Sequence, residues 1–228
     1  MVIRIIAILA IYGLGFAVLM TIAQDEPVGR AIIGMMWGLI LLWVVLGGLL
    51  MLHFRDGIRA RVLAIPLGWQ LKFVLFATLL ALIEEAVTTT MTNLAPFFGV
   101  RMGEAFITPS PNYLEVVLFH SVIVFIPMFM AWAWMLGRWD FRAETAFLLF
   151  GLTGTLSESI AFGFENFLQV GMWVFVYGLM VYLPAYSLPT ERGTLIAPRP
   201  WHYPIALLLP IPFAMVMAAI ILSLRGAG

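Results

Sequence analysis

The stretch AIIGMMWGLILLWVVLGGLLMLH, residues 31–53, contains no Asp, Glu, Lys or Arg and is long enough to cross a bilayer as one helix. The rest of the chain of 228 residues has the same character, because 63% of its residues are hydrophobic and 11% are charged. An ordinary soluble domain has about 25% charged residues. We therefore predict an integral membrane protein that has the lipid bilayer as its surroundings.

Six further apolar runs of similar length predict six more helices. The predicted fold class is an all-α integral membrane bundle of about seven transmembrane helices, and residues 1–228 are expected to form a single polytopic transmembrane domain. The first run also fits a signal peptide that is cleaved, although its apolar stretch is longer than is typical. The predicted helices cover residues 3–23, 31–53, 69–92, 115–136, 145–163, 169–188 and 203–224.

The distribution of basic residues predicts the orientation of the bundle, because cytoplasmic loops carry an excess of Lys and Arg. With the N-terminus inside and the C-terminus outside, nine basic residues lie at cytoplasmic ends and three lie outside. We expect the protein in the cytoplasmic (plasma) membrane of a prokaryote. The inside residues are Arg4, Arg55, Arg59, Arg61, Lys72, Arg138, Arg142, Arg192 and Arg199, and the outside residues are Arg30, Arg101 and Arg225.

The overall charge and the absence of cysteine exclude several kinds of function. Net charge is zero and the basic residues are scattered, so we expect no nucleic-acid partner. Without cysteine the chain has no disulfide, no thiolate metal ligand and no cysteine nucleophile.

Away from the first and last turns of the predicted spans, four ionisable residues lie within them, namely Glu84, Glu85, His120 and Glu158. No Lys or Arg is predicted at their depth, so a buried ion pair does not explain these carboxyls. They must be protonated, solvated, or bound to a proton, a metal or a substrate cation. Two adjacent carboxyls also rarely carry charge at the same time. The four residues are therefore the candidate site.

Helical periodicity places Glu85 on one face with a stripe of threonines, so Glu85 is predicted to face the bundle interior with Glu84 as its neighbour. Glu85 follows Trp69 by 16 residues, which corresponds to about 24 Å of helix. This places Glu85 in the outer half of the membrane, at a level that His120 and Glu158 also reach. Pro127 is expected to kink the helix below His120, and the segment between the third and fourth helices is expected to cap the site.

Aromatic residues near the ends of the predicted spans, Trp173 among them, are expected at the membrane interfaces.

Three classes of function fit this pattern, and the sequence leaves open whether the protein is an enzyme. The first is an intramembrane hydrolase acting on a lipid or a membrane-embedded peptide, with Glu85 as general base and His120 as the polarising group. Glu158 would complete a proton-sharing set or a site for a divalent metal. The second is a proton- or cation-coupled transporter or channel component. The third is a non-catalytic membrane assembly subunit.

The adjacent glutamates followed by a histidine in the next helix resemble the CAAX-type intramembrane proteases, whose pattern is EExxxR, then FxxxH, then a later histidine with asparagine four residues on. The resemblance covers two helices and reaches Glu84, Glu85 and His120. Thr89 stands in place of the arginine, Val116 stands in place of the phenylalanine, and no later histidine lies inside a predicted span. The resemblance implies hydrolysis within the membrane.

Overall fold

The computed structural model describes residues 1–226, with side chains through residue 224, and this part of the chain is helical without a named β-strand. The side chain of Arg225, which counts in the predicted charge bias, lies outside the described part. The helices are α1 (Val2–Ala23), α2 (Pro27–Leu39), α3 (Gly48–Ala64), α4 (Trp69–Asn93), α5 (Tyr113–Phe119), α6 (Val122–Leu136), α7 (Ala143–Phe162), α8 (Val170–Tyr186), α9 (His202–Leu208) and α10 (Pro210–Gly226).

The predicted helix 31–53 lies within a much longer helix. A π-helical segment, Ile40–Gly47, joins α2 to α3 without a break, so residues Pro27–Ala64 form one continuous helical segment. The proline at its first position fits a helix start, since the backbone N–H that proline lacks would have no partner there. The π-helical segment has a wider turn than an α-helix, and such segments occur frequently at functional sites.

The predicted helix 115–136 is two helices, α5 and α6, which are bent by 43° relative to each other. The break lies at His120 and Ser121, whose backbone N–H groups both donate to the carbonyl oxygen of Val116 at 3.0 Å. Pro127 lies inside α6, so this break is not at the proline. The break occurs about two turns earlier, at the candidate site residue itself, and a kink at Pro127 stays a prediction.

Within residues 1–226, five helical segments are long and apolar enough to cross a membrane, and the bent pair of α5 and α6 makes six if it forms one span. This agrees with a polytopic membrane protein. Every predicted helix has a counterpart among the helices of the structure. Helix α4, however, is not among the segments that are long and apolar enough to cross a membrane. The prediction of seven spans and the predicted orientation are therefore not confirmed.

Helices α7 and α8 form the centre of the bundle and pack closely through glycines. A Cβ atom on Gly151 would lie 2.7 Å from the Cα atom of Val174, so the two backbones are in contact. Around this pair, α4 packs against α6 and α8, and α10 packs against α6. Helix α1 lies at the periphery against α8, and none of its residues is buried.

Candidate functional site

A cavity of about 840 Å³ lies between α1, α2, α4, α6, α7, α8 and α10. All four residues predicted from the sequence, Glu84, Glu85, His120 and Glu158, line it. Its volume is within the range of ligand sites, which is roughly 300–1,000 Å³. Most of the remaining wall is apolar, so the carboxyls lie at one place in a hydrophobic chamber.

Both adjacent glutamates of α4 are buried, with 4% of Glu84 and 7% of Glu85 exposed. The Thr88 hydroxyl donates to Glu84 Oε1 at 2.8 Å, and the carboxyl of Glu85 interacts with the Ser121 hydroxyl of α6. Glu84 was predicted only as a neighbour of Glu85, but it also lines the cavity. Consecutive residues of a helix point about 100° apart, and α4 is covered by α2, α6 and α8, so its buried face accommodates both side chains.

Glu158 of α7 is held by a tyrosine of α8. The Tyr177 hydroxyl donates to Glu158 Oε1, and Tyr177 is itself buried. Gly154, one turn before Glu158, makes this contact possible because a Cβ atom there would overlap the tyrosine ring. Glu158 interacts electrostatically with both Glu84 and Glu85, so the three carboxyls act on one another across the cavity.

His120 occupies the break between α5 and α6. Its Nε2 atom lies 3.8 Å from Glu115 Oε1, while Glu115 Oε2 accepts a hydrogen bond from the Ser110 hydroxyl at 2.8 Å. Irregular backbone at membrane depth is tolerated where it lines a cavity, and both His120 and Ser121 are lining residues. The bend thus brings a histidine and a serine to the cavity wall together.

The segment between α4 and α5 covers one end of the cavity, as the sequence predicts. Residues 106–109 line the cavity, and a short 3₁₀-helix, Ala95–Phe98, precedes them. The Ile107 N–H donates to Thr92 Oγ1 at 3.3 Å, and the Asn93 side chain donates to the Pro111 carbonyl oxygen at 2.9 Å. These bonds attach the segment to the end of α4.

The charge of the cavity is one-sided, because none of the described residues that line it is Lys or Arg. The divalent-metal site, which the sequence leaves open as an alternative to a proton-sharing set, has no evident ligand set among the described residues. Within residues 1–226, no three side chains of Asp, Glu or His are placed to hold a metal ion. The carboxyl cluster is instead held by hydrogen bonds from Thr88 and Tyr177, with the Ser121 hydroxyl beside Glu85.

Sequence reasoning missed several polar residues of the cavity wall, namely Ser121, Ser157, Trp173 and Tyr177. Trp173, predicted at the membrane interface, lines the cavity, and its indole nitrogen is buried without a hydrogen-bond partner, as is the Ser157 hydroxyl. Two features of the sequence could have indicated these residues. The serines are next to His120 and Glu158 in sequence, and Tyr177 is a polar residue in the middle of an apolar helix.

Comparisons with known protein families, with curated proteins and with solved structures found no match.

Proposed function

We propose that this protein is an intramembrane hydrolase that acts on a lipid or a membrane-embedded peptide. The observation that carries the proposal is the cluster of three carboxyls, a tyrosine and a histidine in the wall of one largely apolar cavity. Apolar walls suit a substrate that comes from the bilayer, and the polar cluster supplies groups that accept and donate protons.

In the proposed reaction Glu85 is the general base. It removes a proton from a water molecule, whose oxygen forms a bond to the carbonyl carbon of an ester or amide. Glu85 then returns the proton to the leaving oxygen or nitrogen as the bond from that atom to carbon breaks. Glu85 suits this role because its carboxyl contacts the Ser121 hydroxyl of a neighbouring segment, whereas Glu84 accepts a hydrogen bond from Thr88 within its own helix.

The two remaining groups support this step. Glu158 accepts a hydrogen bond from the Tyr177 hydroxyl, so one carboxyl of the cluster keeps a fixed hydrogen-bond partner while Glu85 changes its protonation. His120 is assigned to polarise the substrate carbonyl, and Glu115 helps to orient its ring. No step is assigned to a metal ion.

We also propose that α4 completes a seven-span bundle with the N-terminus inside and the C-terminus outside, in the cytoplasmic membrane of a prokaryote. Helix α4 has 25 residues, about 37 Å of helix, which exceeds the roughly 30 Å of the hydrocarbon core. Its packing against α6 and α8 in the bundle supports a spanning position.

A proton- or cation-coupled transporter remains the second candidate, and the one-sided charge of the cavity favours it. Such a protein needs a path to the other membrane face, expected past Thr78 and the start of α7. Thr78 of α4 does not line the cavity, which favours the hydrolase. A pH-sensitive dye inside proteoliposomes tests the transporter, since an imposed potential would then drive proton flux that Glu85→Gln abolishes.

The hydrolase is tested with the purified protein in nanodiscs and two probes, 4-methylumbelliferyl palmitate as an ester and an internally quenched transmembrane peptide as an amide. We expect release of fluorescence from one of them. The Glu85→Gln variant should lower kcat by about 10²–10⁴-fold, the contribution usual for a general base. The amide keeps the size of the carboxyl and removes its ability to take up a proton.

Glu165→Gln is the matched control, because Glu165 is exposed and does not line the cavity. This variant should hydrolyse the probes at the wild-type rate. Equal rates for Glu85→Gln and wild type, or no hydrolysis of either probe, would count against the proposal.

A further inference from the structure

A second cavity, of about 600 Å³, lies between α1, the π-helical segment, α3 and α8. Its wall is almost entirely hydrocarbon, and Glu144 is the one charged residue among the described residues that line it. The lining side chains include Ile6, Leu14, Val44, Leu49, Phe175 and Leu179. A chamber of this kind suits an alkyl chain and offers little to a polar ligand.

The two cavities adjoin each other, because Gly13, Ile40 and Met172 line both. At this junction α1 lies directly against α8, where a Cβ atom on Gly13 would come within 2.7 Å of the Gly171 carbonyl carbon. Ile40 begins the π-helical segment, so the widened helical turn also lies at the junction. The second cavity is apolar and the first carries the carboxyl cluster, and we refer to the two adjoining cavities as the chamber.

We propose that this chamber binds a neutral lipid with one long hydrocarbon chain, which deepens the proposed function and rests on it. The chain occupies the second cavity, and an uncharged polar end such as an ester lies beside Glu85 and Glu158. A phosphate or carboxylate end is disfavoured, because it would face three carboxyls with no Lys or Arg among the described lining residues.

The position of α1 gives such a lipid a route from the bilayer. Helix α1 packs mainly against α8, none of its residues is buried, and it forms one wall of the second cavity, with α3 on the other side. A chain can therefore move in sideways between α1 and α3 without leaving hydrocarbon. This route avoids the transfer of apolar surface through water.

Gly48 is the position at which the second cavity can be filled selectively. A Cβ atom there would lie 3.8 Å from the Cδ atoms of Leu179, an ordinary contact, so Gly48→Leu extends a side chain into the cavity without a backbone clash. Gly15→Leu is the matched control. Gly15 is exposed on α1, has nothing within 4 Å of its Cβ position and lines neither cavity.

Binding is measured in nanodiscs with a hexadecanol probe that carries a diazirine at the end of its chain, followed by peptide mapping. We expect saturable labelling of the residues around the second cavity, and competition by hexadecanol but not by hexadecyl phosphate. Gly48→Leu should weaken binding about tenfold, the loss expected when roughly two methylene groups become unburied. Gly15→Leu should bind as the wild type does.

Equal binding by the two glycine variants, or equal competition by the alcohol and the phosphate, would overturn the inference. The Glu85→Gln variant separates it from the proposed function, because this variant should still bind the probe. Selective chain binding without hydrolysis would leave the inference standing and remove the hydrolase. If Gly48→Leu hydrolyses short and long esters equally fast, the hydrolase would stand and the inference about chain binding would be removed.

Discussion

The contact between Tyr177 and Glu158 determines how the carboxyl cluster holds its protons. Three carboxyls that interact electrostatically within one cavity cannot all carry charge at low cost. A hydroxyl that donates to one of them fixes that group's orientation and leaves proton uptake to the others. In the proposed reaction this makes Tyr177 a positioning residue that acts through Glu158.

Removing the Tyr177 hydroxyl should therefore lower turnover more than substrate binding. We expect Tyr177→Phe to reduce kcat by about tenfold to a hundredfold, because hydrogen bonds to charged groups contribute roughly 1.5–3 kcal/mol. KM should change little, since the phenylalanine ring fills the same space against Gly154. The measurement is the kcat and KM of the ester probe in nanodiscs.

Tyr186→Phe is the control for this experiment. Tyr186 is the last residue of α8, donates to Asp56 Oδ1 at 2.5 Å and lines neither cavity. It should keep the wild-type kcat. A similar loss of kcat in both variants would show that any tyrosine hydroxyl of α8 matters equally, and the positioning role would be wrong.

At the scale of helices, Gly151 and Gly154 of α7 lie only three residues apart but contact different parts of α8. An alanine at Gly154 would overlap the Tyr177 ring and come within 2.8 Å of the Tyr177 Cβ atom, so the ring must turn and the Cβ atom must shift slightly. An alanine at Gly151 would instead overlap three backbone atoms of Val174, which cannot move without the helix. We expect Gly154→Ala to lower kcat as Tyr177→Phe does, with a smaller effect on stability. Gly151→Ala should instead cost about 1–3 kcal/mol of stability through overpacking.

Thermal unfolding in detergent and ester hydrolysis in nanodiscs measure these two effects separately. The melting temperature should fall more in Gly151→Ala than in Gly154→Ala, and kcat relative to folded protein should fall more in Gly154→Ala. Wild-type turnover in Gly154→Ala would contradict the proposed link between this glycine and Tyr177.

The helices and the ionisable residues of the cavity could be predicted from the sequence, whereas the contacts between helices could not. All predicted helices have counterparts, because apolar runs of spanning length are an unambiguous signal. Glu84, Glu85, His120 and Glu158 were also found, since ionisable residues are conspicuous in apolar segments. The bond from Tyr177 to Glu158 was not, because it depends on how closely α7 approaches α8.

The bend in the fourth predicted helix shows a second limit of sequence reasoning. Proline is the usual cause of a kink, but Pro127 lies within α6 while the chain breaks at His120 and Ser121. The Ser121 hydroxyl and the backbone N–H of the same residue both bond to the Val116 carbonyl oxygen there. Such a local arrangement competes with the helix and has no periodic signature in the sequence.

For the whole molecule, the position of α4 decides on which side of the membrane every later segment lies. Leu67 precedes α4 and Met102 follows it, so these residues lie on opposite sides only if α4 crosses the bilayer. Thr194, between α8 and α9, then returns to the side of Leu67. The proposed orientation puts Leu67 and Thr194 in the cytoplasm and Met102 outside.

Single cysteines test this arrangement directly, because the natural chain contains none. Leu67, Met102 and Thr194 are exposed, so Leu67→Cys, Met102→Cys and Thr194→Cys should fold normally. A membrane-impermeant maleimide added to intact cells should label Met102→Cys alone, and all three after permeabilisation. Labelling of Thr194→Cys alone would mean that α4 does not cross, because all later segments would then change sides. Labelling of Leu67→Cys and Thr194→Cys together would mean that the seven-span bundle is inverted, with its carboxyl cluster toward the cytoplasm.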